Sequence, residues 1–286
     1  MRFGCQSMVA RIESVLVQHP RDAFINPENL SAQWEGLNFL ACPDYGKAVR
    51  EFEGFVDLLK GVIPEIHYLP KNDRVSVDSI YVHDPVVITK RGALLCNMGK
   101  EQRRGEPATM EAFLSGLGIP ILGMISGEGT LESGDILWID ERTLAVGRGS
   151  RSNTEGIRQQ QQLLGDLIDE LIIVDLPPEV FHLLGIISLI DHDLAIIDSQ
   201  MLPVPFRQWL RDRGFKLLEM PASESESLAC NILALAPRQC ILLSGNPQTE
   251  RMLRDEGVEV RTYAGEEICL KGSGGPTCLT RPLLRE

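Results

Sequence analysis

The sequence predicts one α/β domain spanning residues 1–286, a five-fold pseudosymmetric propeller of hairpin, helix and strand modules around a central channel. Three observations predict it. Apolar strand-like pairs joined by polar turns recur as SIYVHDPVVITKRGALLCN, GDILWIDERTLAVGRG, GIISLIDHDLAIID and NILALAPRQCILLSG, with turns near Gly92, Arg142, Asp193 and Arg238. The turns are roughly fifty residues apart, a period typical of propellers and arrays. Each pair is followed by an amphipathic stretch and then a further strand, and no Pro-, Gly- or Ser-rich linker separates the units.

The helical stretches are PATMEAFLSGLG, NTEGIRQQQQLLGDLI, PFRQWLRDRG and PQTERMLRDEG, and the strands after them are IPILGM, ELIIVDLP, FKLLEMPA and VEVRTYAG. The fifth unit has to come from both ends of the chain. RIESVLVQHP and TCLTRPLL supply its hairpin, YGKAVREFEGFVDLLKG its helix and EIHYLP its strand. Such closure removes free sheet edges. Glutamines 159–162 fall in a helix and are expected on its solvated face. A doubly wound dinucleotide fold is disfavoured, because strands come in pairs and GRGSRSNTEG lacks the required glycine spacing.

The composition, 43% apolar and 24% charged, is that of a soluble globular chain. A formal charge of −12 removes the basic surface that nucleic acid demands and mildly favours cationic ligands. No apolar run is long enough to cross a bilayer and no leader pattern follows Met1, so a cytoplasmic protein without membrane contact is expected. Seven cysteines without paired ligand spacing read as reduced thiols rather than a zinc site.

One cysteine has an unusual setting. Cys278 lies in LKGSGGPTCLTRPLL, where Gly272, Gly274 and Gly275 let the backbone turn and approach a ligand closely. A buried packing thiol is the alternative, and a nucleophilic one needs a proton acceptor. His182 stands before the third hairpin, where a structural histidine is the more common finding. Asp84, Glu132 and Asp135 sit at the starts of apolar strands, where an unpaired carboxylate costs several kcal/mol and a capping role is the plainer reading. The repeat joins these separate hints. Asp84, Glu132, His182 and Cys278 each fall near the start of a hairpin, the edge that faces the channel in every module, and so form one constellation of acids, a proton shuttle and a thiol.

The blocks YVHDPVVI with QRRGE, LESGDIL with VGRGSRSNTEG, FHLLGIISLID, and GSGGPTCLTRPL together resemble the guanidino-modifying enzymes of the pentein fold over nearly the whole chain. That superfamily comprises dimethylarginine dimethylaminohydrolases, arginine deiminases and amidinotransferases, and the chain length favours the first. The resemblance implies Cys278 as nucleophile, His182 as general acid and base, and Glu132 as the acid that positions both His182 and the guanidinium. It implies Asp84 and Asp78 as substrate acids, Arg103 and Arg151 as holders of a substrate carboxylate, and a structural Asp135. Two positions depart from the pattern and leave the substrate open among arginine, ω-substituted arginines and related guanidino acids. His83 stands where the dimethylarginine hydrolases carry an acid, and is taken as a substrate contact. Leu184 stands where arginine deiminases carry an aspartate.

The implied reaction is hydrolysis of a guanidino compound through an amidino-cysteine, with no metal or organic cofactor. The expected partner is a small cationic substrate, and a homodimer is allowed. Amidino transfer to an amine is the alternative within catalysis. A non-catalytic binding module is the alternative outside it, because the same fold serves a ribosome-associated translation factor. NPENLSAQWEGLNF is either a lid or a packed surface loop.

Overall fold

The computed structural model describes residues 1–286, and its strands fall into five sheets of three. The chain enters through β1 (Ile12–Val17), two short helices, α1 (Pro20–Ala23) and α2 (Pro27–Gln33), then α3 (Tyr45–Lys60) and β2 (Glu65–Tyr68). Four similar units follow. They are β3 (Val86–Thr89), β4 (Gly92–Leu95), α4 (Glu106–Gly116) and β5 (Ile121–Met124); then β6 (Ile136–Trp138), β7 (Thr143–Arg148), α5 (Thr154–Leu164) and β8 (Glu170–Asp175). The third comprises β9 (Ile187–Asp191), β10 (Leu194–Ile197), α6 (Val204–Asp212) and β11 (Lys216–Glu219); the fourth β12 (Leu233–Ala236), β13 (Gln239–Leu243), α7 (Pro247–Asp255) and β14 (Glu259–Tyr263). The last strand, β15 (Arg281–Arg285), returns to the first.

Each sheet is an antiparallel hairpin whose second strand takes a parallel third strand delivered by the helix. The fifth follows the same plan across the chain ends, with β15 antiparallel and β2 parallel to β1. Hairpin strands such as β3, β4 and β10 are buried throughout, whereas third strands such as β5 are half-exposed. Continuous Val, Ile and Leu runs therefore mark the inner strands.

Alternation along those buried strands sends side chains into two different cores. In β3 and β4, Val86, Ile88, Ala93 and Leu95 pack with Leu16 and Leu283 of the terminal unit, while Val87 and Leu94 pack with Leu144 and Val146 of the next. Ala145 joins Ile187 and Ala195, Ile196 joins Leu242, and Ile241 joins Val15 and Phe55. Five cores thus join the five units cyclically, as the sequence repeat predicts. No helix is long and apolar enough to cross a membrane.

Helix α3 begins where the Asp44 carboxylate accepts the Lys47 amide at 2.7 Å, and it buries Ala48, Val49, Phe52, Phe55, Val56 and Leu59 along one face. The glutamine run corrects one expectation. Gln161 and Gln162 are exposed, but Gln160 is fully buried on the stripe formed by Ile157 and Leu164. Four consecutive positions span more than a helical turn, so one of them must cross the buried face. The NPENLSAQWEGLNF segment forms α2 and a turn whose Leu30, Leu37 and Phe39 enter the core, so it is packed rather than loose.

Buried Arg281 of β15 ties three units together, its Nη1 donating to the Val86 carbonyl at 2.9 Å and the Ser133 hydroxyl at 2.7 Å. Arg281→Met leaves both acceptors buried without a donor, at about 1–3 kcal/mol each. We expect urea denaturation to show a loss of about 2–4 kcal/mol with an unchanged m-value; a change below about 0.5 kcal/mol would contradict this role.

Candidate active site

Four loops that lead into strands bring the candidate residues together. Asp84 precedes β3, Glu132 precedes the short turn into β6, His182 precedes the turn into β9, and Cys278 precedes β15. One ligand atom from each of Asp84, Glu132 and His182 lies within 4.8 Å of the others. Asp78, Asp84, Arg103, Arg151, His182 and Cys278 line one cavity of about 170 Å³.

The Glu132 carboxylate is fully buried and is held on three sides. Oε2 accepts from His182 Nε2 at 2.7 Å and from Arg151 at 3.2 Å, and Oε1 accepts the Lys100 amide at 3.0 Å. Burial by itself raises its pKa, but the bond and charge of His182 outweigh that, and the group stays below its ordinary value. Burial likewise lowers His182, yet the negative charges of Asp84, Glu132 and Asp135 carry it to about 9. His182 is therefore an imidazolium at neutral pH. Gly134 permits this packing, because a Cβ there would stand 2.7 Å from the ring and 2.8 Å from Asp84 Oδ1.

Asp84 is buried and ionised, since the charges of His182 and Arg103 overcome the desolvation that would raise its pKa. Its Oδ2 accepts from Arg103 at 2.5 Å, while Oδ1 is buried with no hydrogen-bond partner. An unpaired buried carboxylate oxygen is costly and invites a cationic donor. A divalent metal at these three ligands would have to displace the His182 proton; a planar cation with N–H donors meets no such conflict.

Cys278 Sγ receives the Asn231 side-chain amide at 3.4 Å. Burial and the nearby Asp84 charge push its thiol up to about 12, so the resting site holds a thiol and no ready thiolate. Burial and the Asp84 charge outweigh the Asn231 and Gly275 hydrogen bonds and the Arg103 charge that favour a thiolate. The glycines make room for neighbouring side chains: a Cβ on Gly272 would stand 1.9 Å from the Tyr81 hydroxyl and one on Gly274 2.4 Å from the Tyr81 ring, and Gly275 lies against Asn231.

Two residues expected at the substrate are engaged by protein groups. Arg103 is buried and its guanidinium is taken up by Glu106 through Nε at 2.9 Å and Nη2 at 2.8 Å, by Asp84 and by the Tyr81 carbonyl. It organises the acids of the cavity that it lines. His83 does not line the cavity with Asp78 and Asp84; its Nδ1 donates to the Thr280 carbonyl at 3.0 Å, and burial lowers it to about 3, leaving it neutral. Asp135 has the structural role expected, accepting Ser152 Oγ at 2.6 Å and the Leu183 amide at 3.0 Å.

Two site residues escaped the sequence reading. Lys100 spans the cavity, its Nζ bonded to Asp78 at 2.5 Å and to the Leu37 carbonyl of the NPENLSAQWEGLNF segment at 2.7 Å. Leu37 and Asn38 line the same cavity, so that packed segment also covers it. Asn231 opens the fourth hairpin, at the phase shared by Asp84, Glu132 and His182, and the repeat itself was the signal that could have found it.

The chain matches the family model described as "N,N dimethylarginine dimethylhydrolase, eukaryotic" over residues 44–285. It is 29% identical over 244 residues to an N(G),N(G)-dimethylarginine dimethylaminohydrolase of Pseudomonas aeruginosa, covering 84% of this chain and 90% of that one. A Cys-to-Ser mutant of the Pseudomonas aeruginosa enzyme, solved with citrulline, superposes with a TM-score of 0.78 at 26% identity, covering 94% of this chain and 98% of the other. An amidinotransferase of Microseira wollei shares the fold at a TM-score of 0.82 and 14% identity, covering 100% and 98%.

The His182 charge can be read directly. The imidazole resonance is expected to titrate near pH 9 by NMR, and Glu132→Gln should move that midpoint toward 6.5. Because the folded pKa is raised, the stability gained from this charge is complete below about pH 6.5 and is lost as the pH rises through about 9. A midpoint near 6.5 in the unmodified protein would refute the pairing.

Proposed function

The chain belongs to the dimethylarginine dimethylaminohydrolase family and is a hydrolase of amidine C–N bonds, and on that premise we propose that it hydrolyses a guanidino amino acid through a covalent adduct on Cys278. The observation that carries this reading is the buried, unpartnered Asp84 Oδ1 in the cavity lined by Cys278 and His182. A guanidinium donating to Asp84 satisfies that oxygen and neutralises a charge that keeps the thiol protonated. Substrate binding thus lowers the Cys278 pKa and releases its proton to solvent. Lys100, Asp78 and Arg151 supply cations and an acid for the amino-acid end of the substrate.

The thiolate adds to the guanidinium carbon to give a tetrahedral adduct. His182, already protonated, donates to the departing nitrogen as the C–N bond breaks, leaving an amidino-thioether and a neutral imidazole. That imidazole takes a proton from water as the oxygen adds to the same carbon, and the C–S bond then breaks to give the thiolate and a ureido product that loses its remaining hydroxyl proton to solvent. Glu132 holds the ring through both transfers. Asn231 steadies the sulfur.

Turnover of arginine, methylated arginines, hydroxyarginine and short guanidino acids, read by mass spectrometry, should give a ureido product and free amine without any amine acceptor. Turnover only with an acceptor would mean amidino transfer instead. Cys278→Ala should lower kcat by at least about 10³-fold. At pH 7 the cationic 2-chloroacetamidine should alkylate Cys278 at least about tenfold faster than neutral iodoacetamide, whose rate should climb with pH well beyond 9. Equal rates at pH 7 would show that a bound cation does not activate the thiol.

A further inference from the structure

A second and larger recess, about 870 Å³, also reaches Cys278 and His182 and shares no other side chain with the first cavity except Phe181 and Ser273. Beside the charged His182 it is lined by uncharged groups. Leu184 is buried and apolar, His83 is held neutral by its bond to Thr280, and Asn231 is occupied with the thiol and the Thr277 amide. Farther out, Ile186, Met201, Leu228 and Leu270 continue an apolar surface. Two of the chain's few exposed large apolar residues, Leu40 at 74% and Phe181 at 56% exposure, also border it. Glu179, Asp198 and Glu226 line the recess and no Lys or Arg does. Leu228 and Ser273 carry positive φ values of 57° and 60°, a costly conformation for residues with side chains.

Resting on the hydrolase reading above, we infer that this recess takes the substituent on the departing nitrogen, and that the preferred substrates are ω-N-substituted arginines bearing an extended, uncharged alkyl or aryl group. The proton donor His182 borders both spaces, so the nitrogen it protonates stands at their junction. The amino-acid end then occupies the side with Lys100, Asp78 and Arg151, and the departing amine occupies the side without cations. The bond changes are those already given; the C–N bond that breaks is the one to the substituted nitrogen, which leaves as a primary amine with the proton from His182. Burying each added methylene in such a surface improves kcat/KM by roughly twofold to fourfold until the recess is filled.

The test compares kcat/KM for Nω-methyl-, Nω-butyl-, Nω-hexyl- and Nω-(5-carboxypentyl)-arginine. The hexyl compound should exceed the methyl one by at least about tenfold, and the carboxypentyl compound should fall at least about tenfold below the hexyl. Met201→Trp, which fills the recess, and Leu40→Glu, which places a charge at its exposed border, should each reduce the hexyl-to-methyl ratio by about fivefold or more. A hexyl-to-methyl ratio of one or less, or a ratio untouched by both variants, overturns the proposal. If no compound is turned over, the hydrolase reading fails, and calorimetric binding to Cys278→Ala decides this one separately: tighter binding of the hexyl compound supports it, and equal binding refutes it.

Discussion

The site depends on keeping two carboxylates ionised where water cannot reach them. Isolated buried carboxylates cost several kcal/mol and would protonate instead. Asp84 escapes through Arg103, and Glu132 through His182 and the Lys100 amide. Arg103 is itself secured by Glu106 three residues on, so the acid that faces the cavity is held by a cation whose Nε and Nη2 donors are already used. One oxygen, Asp84 Oδ1, is left over, buried and without a partner.

The same surplus of negative charge explains why Cys278 rests as a thiol. A sulfur poised as thiolate beside Asp84 would add a further buried anion, and burial with that charge opposes it. In the proposed reaction the cation that corrects the imbalance is the substrate, so that activation is restricted to molecules that carry a positive group and Cys278 is protected from neutral electrophiles at neutral pH. His182 needs no such trigger, because the charges that suppress the thiol also hold its proton in place for the first transfer.

Most of the fold was legible because buried strands announce themselves as short Val, Ile and Leu runs punctuated by turn residues, and helices by their 3.6-residue period. Even the unit made from both chain ends could be read, since its pieces matched the other four. Pairing between side chains was not legible. Arg103 and Glu106 have helical spacing, but nothing local says that their fork closes on Asp84. Nothing in the sequence singles out Lys100, since lysines are usually exposed; its place in the cavity depends on Asp78 and on a carbonyl of the covering segment. His83 was assigned to the substrate from its place beside Asp84, yet the two lie in a turn ahead of β3, and the His83 ring went to the Thr280 carbonyl.

The site is two-sided. Along the approach to β3, Asp84 faces the charged cavity while His83 borders the apolar recess, and at the approach to β9, His182 lies between the two and Leu184 lines the recess alone. Two units of the ring thus contribute to both walls from nearby positions in the turns that lead into their strands. On the proposed reading, substitutions at His83 and Leu184 alter which nitrogen substituent is accommodated without disturbing the carboxylates, because the turns place these side chains on the recess and the acids on the cavity.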